Sequence, residues 1–203
     1  MYSENFKNLV LALNENGTNY VLLKANESEK IKKYVFLIKD DCYIHILENI
    51  NLKTYNVSSN DKYWYGASKP KIWLFANGDE VIVYKEIVVR SLTSGIWIPI
   101  DKIIQKSAFD NKIKFSVADS VFCYKLCDVD KLIYLLSNAV FTQKKFTNND
   151  ISFINNKLSK IDIGNFEIKI GKVFFKYTEK LLEHLKNRDF DKILYDYIRF
   201  KEY

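Results

Sequence analysis

The strongest constraint on the fold of this 203-residue chain is a change in the spacing of its hydrophobic residues near Asp128. Before that point, short apolar runs such as Tyr20–Leu23 alternate with turn residues. After it, apolar residues recur every three to four positions, which is the period of helices that bury one face. The sequence therefore predicts an α+β fold, with a sheet-containing core over residues 1–125 and a helical region over residues 126–203 packed on that core.

Spacing also predicts the first elements of this core. Apolar positions in residues 6–13 predict an amphipathic helix, and residues 20–23 predict a short strand. A capping-box pattern predicts a second helix over about residues 27–38. Alternation in residues 42–47 predicts a second strand. We expect the two strands to share one sheet with the hairpin around Gly78.

Turn and capping residues predict the elements that follow. Asn77 and Gly78 tolerate the positive φ of a tight turn, so the flanking segments 71–76 and 80–90 are predicted to form a hairpin. Asp101 is a good N-cap for a short helix that ends near residue 109. Residues 112–117 are predicted to be extended. The helical region is predicted to hold four helices, which contain or begin near Asp128, Thr147, Tyr177 and Phe190.

Charge and cysteine content narrow the function classes. The formal charge is +6, yet only three of the 31 basic residues are arginine, the preferred bidentate reader of phosphates and bases. Nucleic-acid binding is therefore disfavoured, although a basic nucleic-acid-binding module stays as one alternative. The three cysteines lack the Cys-x-x-Cys spacing of a zinc site and are odd in number. With no apolar window long enough to span a membrane and no signal-peptide pattern, we expect a cytoplasmic protein.

Two later stretches carry a resemblance to a known family. Tyr84–Gln105 contains Ile-Trp-Ile-Pro-Ile-Asp-Lys-Ile-Ile-Gln, and Asp128–Phe146 contains Leu-Ile-Tyr-Leu-Leu and Phe-Thr-Gln-Lys-Lys-Phe. Together with the predicted order of helix, strand, helix, strand, hairpin and helical tail, they resemble nucleotidyltransferase-like proteins encoded among bacterial capsule and other surface-polysaccharide genes. The resemblance covers about residues 5–160. It implies a nucleotidyltransferase-like mixed sheet with flanking helices.

The resemblance also implies a metal site. In that family the second strand reads acid-apolar-acid-apolar-apolar, and its two carboxylates hold magnesium with a third acid on a neighbouring strand. Here Tyr43 and His45 stand at the two acid positions, and Val83 or Lys85 at the third. Tyrosine and lysine are not magnesium ligands, and imidazole matches so hard a cation poorly. We therefore expect no bound metal or other cofactor, and a pseudoenzyme of polysaccharide biosynthesis rather than an active transferase.

The ligand prediction also depends on the family pattern. A glycine-containing turn after the first strand lets a triphosphate approach the backbone in that family, whereas Lys24 follows the strand here. Its ammonium would supply a cation to a phosphate. We expect a site near Lys24, Tyr43 and His45 that binds a nucleotide, a sugar phosphate or a protein partner.

A shifted set of acids provides an alternative with activity. Asp40 and Asp41 would hold Mg²⁺ with Glu80 or Glu86, giving a metal-dependent nucleotidyl- or phosphotransferase. Adjacent residues of a strand point to opposite faces, so the two aspartates share a site only where a turn bends them together. The candidate catalytic residues are Asp40, Asp41 and Glu86 from this set, and separately His45. A structural, hydrogen-bonded role for His45 stays open beside a role as a base.

Overall fold

A mixed seven-stranded sheet separates two hydrophobic cores in the computed structural model, which describes residues 2–26, 30–55, 64, 66, 68–91 and 94–199. The first part of the chain forms α1 (Glu4–Glu15), β1 (Tyr20–Asn26), β2 (Lys33–Ile38), α2 (Tyr43–Asn49), β3 (Lys53–Tyr55), β4 (Lys71–Leu74), β5 (Glu80–Tyr84), β6 (Val88–Arg90) and β7 (Trp97–Pro99). The rest forms α3 (Lys102–Asp110), β8 (Ile113–Ala118), β9 (Val121–Lys125), α4 (Asp128–Ser137), a π-helical segment (Asn138–Gln143), α5 (Asn148–Lys157), α6 (Ile163–Phe174), a 3₁₀ turn (Phe175–Tyr177), α7 (Thr178–Asn187) and α8 (Phe190–Arg199).

The strand order is β3-β4-β5-β2-β1-β9-β8, and β6 pairs with β7 in a separate hairpin. β1 runs antiparallel to β2, while β2 is parallel to β5 and β1 is parallel to β9. The other pairs in the sheet are antiparallel. This mixed sheet with helices agrees with the predicted α+β class.

Alternation along the strands assigns each side chain to one of the two cores. In β2, Tyr34 and Phe36 pack in the core that also contains α1 and α2. Leu37 packs in the other core, which contains the helices from α3 to α8. Successive strand residues point to opposite faces, so a strand covered on both sides is apolar throughout.

Two predicted elements are wrong, and their types are exchanged. Residues 33–38 of the predicted helix form β2, because a short apolar run buried on both faces has no period that separates it from a buried helix. Residues 27–29 of that prediction lie outside the described residues. Residues 43–47 of the strand predicted at 42–47 instead form part of α2, where Tyr43, Ile46 and Leu47 are buried at helical spacing.

Several other predicted elements are confirmed. The Asp101 side chain accepts a hydrogen bond from Ile103 N at 2.8 Å and caps α3. Gly78 has φ +87° in the turn that joins β4 to β5, although the second strand of this hairpin ends at Tyr84 and the rest of the predicted segment contains β6. Every named element after residue 126 is helical. The longest described helices have 12 residues, and no helix in the described part of the chain is long and apolar enough to cross a membrane.

Candidate functional site

The strand that follows β1 carries no carboxylate. β2 reads Lys-Tyr-Val-Phe-Leu-Ile, and its parallel neighbour β5 contributes one acid, Glu80, at its first position. The Nζ atom of Lys33 lies 3.0 Å from Oε2 of Glu80, so this carboxylate already has a cationic partner. β2 therefore lacks the pair of carboxylates that a two-metal transferase needs on one strand.

The structure separates Glu80 from the other shifted acids, and Asp41 and Glu86 have a lysine and a backbone N–H group as partners. Asp40 and Asp41 lie in the turn after β2, and Asp41 Oδ2 accepts a hydrogen bond from Lys85 Nζ at 2.7 Å, which lowers the pKa of that carboxyl. Glu86 Oε2 accepts a hydrogen bond from the backbone of Ser68. Glu80 lies at the other end of the parallel strands β2 and β5. Among the described residues, no group of three or more His, Cys, Asp or Glu side chains is placed to hold a metal ion.

Tyr43 and His45 lie on α2 rather than on a strand. Tyr43 is 1% exposed, and burial followed by the nearby Asp41 charge raises its pKa to about 12. The His45 side chain is 85% exposed, and its Nδ1 atom lies 3.6 Å from Oε2 of Glu48. One of these side chains is buried and the other is exposed, so they do not form the pair on one strand that the sequence predicted to contact a ligand.

The β1–β2 pairing also separates α2 from Lys24. Tyr20, at the start of β1, pairs with Ile38 at the end of β2, from which the chain continues into α2. Lys24 pairs with Val35, nearer the other end of the same hairpin. The structure thus places Lys24 apart from Tyr43 and His45, because the segment expected to be a neighbouring strand is a helix beyond the end of β2.

Lys24 instead lines a cavity of about 170 Å³ with two other lysines, which we call the lysine pocket. β9 ends at Lys125, opposite Leu22 of β1, so β1 extends past it on this side. The chain then enters α4, whose fourth residue is Lys131. The pocket lies where β1 extends past the end of β9. It is lined by Tyr2, Leu22, Leu23, Lys24, Ala25, Phe115, Lys125, Leu126, Asp128, Lys131 and Phe153.

Lys131 is held against the backbone of β1. Its Nζ atom donates a hydrogen bond to the carbonyl oxygen of Leu23. Burial and the positive charges of Lys24 and Lys125 lower its pKa to about 8, while Asp150 acts in the opposite direction. An anion in the pocket would offset this repulsion and favour the charged form of Lys131.

The pocket has little negative charge of its own. Asp128 is the single acid among the described lining residues, and its Oδ2 atom lies 2.8 Å from Lys157 Nζ. Of these three lysines, the sequence pattern points to Lys24 but not to Lys125 or Lys131. The apolar spacing around these two lysines predicts secondary structure but no binding site. They meet Lys24 only because β1 pairs in parallel with β9.

A second group of buried polar residues joins three helices. Asp130 Oδ1 lies 2.8 Å from Lys169 Nζ, and its Oδ2 accepts a hydrogen bond from Ser107 Oγ at 2.7 Å. All three residues are less than 8% exposed. Cys127 Sγ lies 3.2 Å from Asp130 Oδ2, and Asn111 Nδ2 donates a hydrogen bond to Ser107 Oγ at 2.8 Å. This network links α3, α4 and α6 and fixes the start of α4, the helix that carries Lys131.

Comparison with known proteins adds no family assignment. A search against protein-family models found no match, and a search of curated proteins found none either. The resemblance to nucleotidyltransferase-like proteins therefore stays a prediction.

Proposed function

We propose that this protein has a nucleotidyltransferase-like scaffold without transferase activity and binds a phosphate-bearing ligand, a nucleotide or a sugar phosphate, in the lysine pocket. The observation that carries the proposal is the convergence of Lys24, Lys125 and Lys131 on one cavity. The acid among its described lining residues, Asp128, is already paired with Lys157. Lysine binds phosphate as a point charge, and a pocket with excess positive charge selects an anion.

Size and shape support a ligand with a phosphate and a ring. A cavity of about 170 Å³ is smaller than the roughly 300–1,000 Å³ typical of complete small-molecule sites. It therefore suits the phosphate, while the remainder of the ligand lies across the rim. Tyr2, Phe115 and Phe153 line the same cavity and offer apolar faces to a base or sugar ring.

The proposed lack of transfer chemistry rests on the residues of β2 and β5. Metal-assisted phosphoryl chemistry needs carboxylates that hold Mg²⁺ against the reacting phosphate. β2 supplies none, and Glu80 of β5 is paired with Lys33. The family resemblance supports a setting in bacterial surface-polysaccharide synthesis in the cytoplasm.

The test is calorimetric titration with inorganic diphosphate, a nucleoside diphosphate and a sugar 1-phosphate. We expect saturable binding that weakens as salt concentration rises, because exposed charges are screened. Lys24→Ala and Lys131→Met should each weaken binding about tenfold, a loss typical of one charged hydrogen bond. Lys102→Ala is the matched control, since this exposed lysine on α3 does not line the pocket.

Two results would contradict the proposal. Binding that is unchanged in both pocket variants would place the ligand elsewhere. No binding of any phosphate compound by the folded protein would reject the anion site and favour the protein-partner alternative. Circular dichroism and thermal unfolding of each variant separate loss of binding from loss of fold.

A further inference from the structure

Phe175 has an unfavourable backbone conformation, and no burial of its side chain compensates for it. With φ +48° and ψ −127°, it lies in a region that residues with a Cβ atom disfavour. Its side chain is 71% exposed, whereas the neighbouring Phe174 and Tyr177 are 2% and 1% exposed. The protein thus holds a large apolar ring in solvent at the end of α6, using an unfavourable backbone geometry.

This ring forms part of the wall of a cavity of about 530 Å³. The cavity lies between the β6–β7 hairpin, the π-helical segment, the end of α6 and α8. Its apolar lining includes Val89, Ile98, Ile100, Phe141, Val173 and Tyr197. Most of these residues also belong to the core that contains α3 to α8, so the floor of the cavity is built from packed side chains. The volume falls in the range of small-molecule sites, which are mostly apolar with a few polar groups.

The charges at this cavity favour an anionic group. Asp101 lines it, but its side chain accepts a hydrogen bond from Ile103 N, and the positive end of α3 offsets its charge. Lys172 also lines it and is exposed. Lys172 makes no ion pair or hydrogen bond to another residue in the described part of the chain, so its ammonium is available to a ligand.

We propose that this cavity binds an apolar molecule with an anionic end, with the apolar part against the floor and the anion at Lys172. Phe175 covers the apolar part from the solvent side, which gives its strained, exposed position a function. Strained residues occur preferentially at ligand-binding and switch sites. The cavity shares no lining residue with the lysine pocket, so the proposal is independent of the function argued above.

The experiment compares decanoate, decanol and decylamine as probes, with binding followed by calorimetry and by chemical shifts of backbone amides. We expect saturable binding of decanoate, with shifts at the lining residues, and weaker binding of decylamine. Lys172→Met should weaken decanoate binding about tenfold and leave decanol binding unchanged. Phe175→Ala should weaken both. Ile168→Ala is the matched control, because Ile168 is 70% exposed on the same helix and does not line the cavity.

Phe175→Gly separates strain from binding. Glycine adopts positive φ without penalty, so this variant should unfold at a higher temperature than Phe175→Ala and still lose affinity for decanoate. Absence of saturable binding, shifts confined to other surfaces, or unchanged affinity in Phe175→Ala would overturn the proposal. Equal affinity for decanoate and decylamine would overturn the anionic selectivity assigned to Lys172.

Discussion

The ammonium of Lys33 and the carboxylate of Glu80 lie 3.0 Å apart and join the first residues of two parallel, neighbouring strands. Side chains two residues apart on a strand share a face, so Val35 follows Lys33 on the same side of β2. An ion pair and an apolar residue therefore occupy the start of β2, and the strand has no carboxylate of its own. This relationship is the basis for expecting binding without transfer chemistry.

We expect no pyrophosphate release when the protein is incubated with Mg²⁺, a panel of nucleoside triphosphates, and sugar or alcohol acceptors. The physical reason is that β2 offers no carboxylate to hold the metal, and imidazole or phenol groups do not replace one. A coupled pyrophosphate assay measures this directly. Turnover that disappears in Asp41→Asn but persists in the control Asp110→Asn would instead establish the shifted-acid alternative.

The sequence was sufficient for the parts of the fold that short-range chemistry determines. The Asn77-Gly78 turn and the Asp101 cap require particular residue types at particular positions, and both are present as predicted. The apolar residues that recur every three to four positions after Asp128 are also a short-range signal, because each helix exposes one face and buries the other. These features need no knowledge of which segments meet in space.

The exchanged elements show where such reasoning fails. Residues 33–38 face two different cores, so their hydrophobicity carries no period, and a helix and a strand fit the same letters. The alternation of apolar residues over 42–47 is a coincidence. The segment is helical because a helix buries Tyr43 and Ile46 in the same core as α1. The lysine pocket depends on the parallel pairing of β1 and β9, which is a long-range contact that spacing does not reveal.

We expect Asp130→Ala to lower the free energy of unfolding by about 3–5 kcal/mol, the usual cost of leaving the partner of a buried ion pair unpaired. That partner is Lys169, whose side chain is 9% exposed. Urea unfolding followed by circular dichroism measures the change. Asp110→Ala is the control, because its pair with Lys106 is exposed and should contribute less than about 1 kcal/mol. A similar small effect for Asp130→Ala would contradict a structural role for the network.

Anion binding at the lysine pocket should weaken as the pH rises through about 8. Lys131 has its pKa lowered to about 8 in the free protein by burial and by Lys24 and Lys125, so it loses its charge in this range. Titration with inorganic diphosphate at pH 7, 8 and 9 should show a decline in affinity, with the greatest change above pH 8. Lys131→Met should reduce this pH dependence. An equal decline in wild type and variant would assign the effect to another group, including the ligand itself.

The same pKa shift predicts how stability depends on pH. The unfolded chain keeps Lys131 protonated up to its ordinary pKa of 10.5, whereas the folded protein releases the proton near pH 8. Between these values the unfolded state binds more protons, so the free energy of unfolding contributed by Lys131 rises with pH. Because other lysines and tyrosines titrate in this range, the quantity to measure is the difference in unfolding free energy between wild type and Lys131→Met from pH 7 to 10.5. We expect the unfolding free energy of wild type to rise relative to that of the variant across this interval. A constant difference would show that the fold does not disfavour the charge of Lys131.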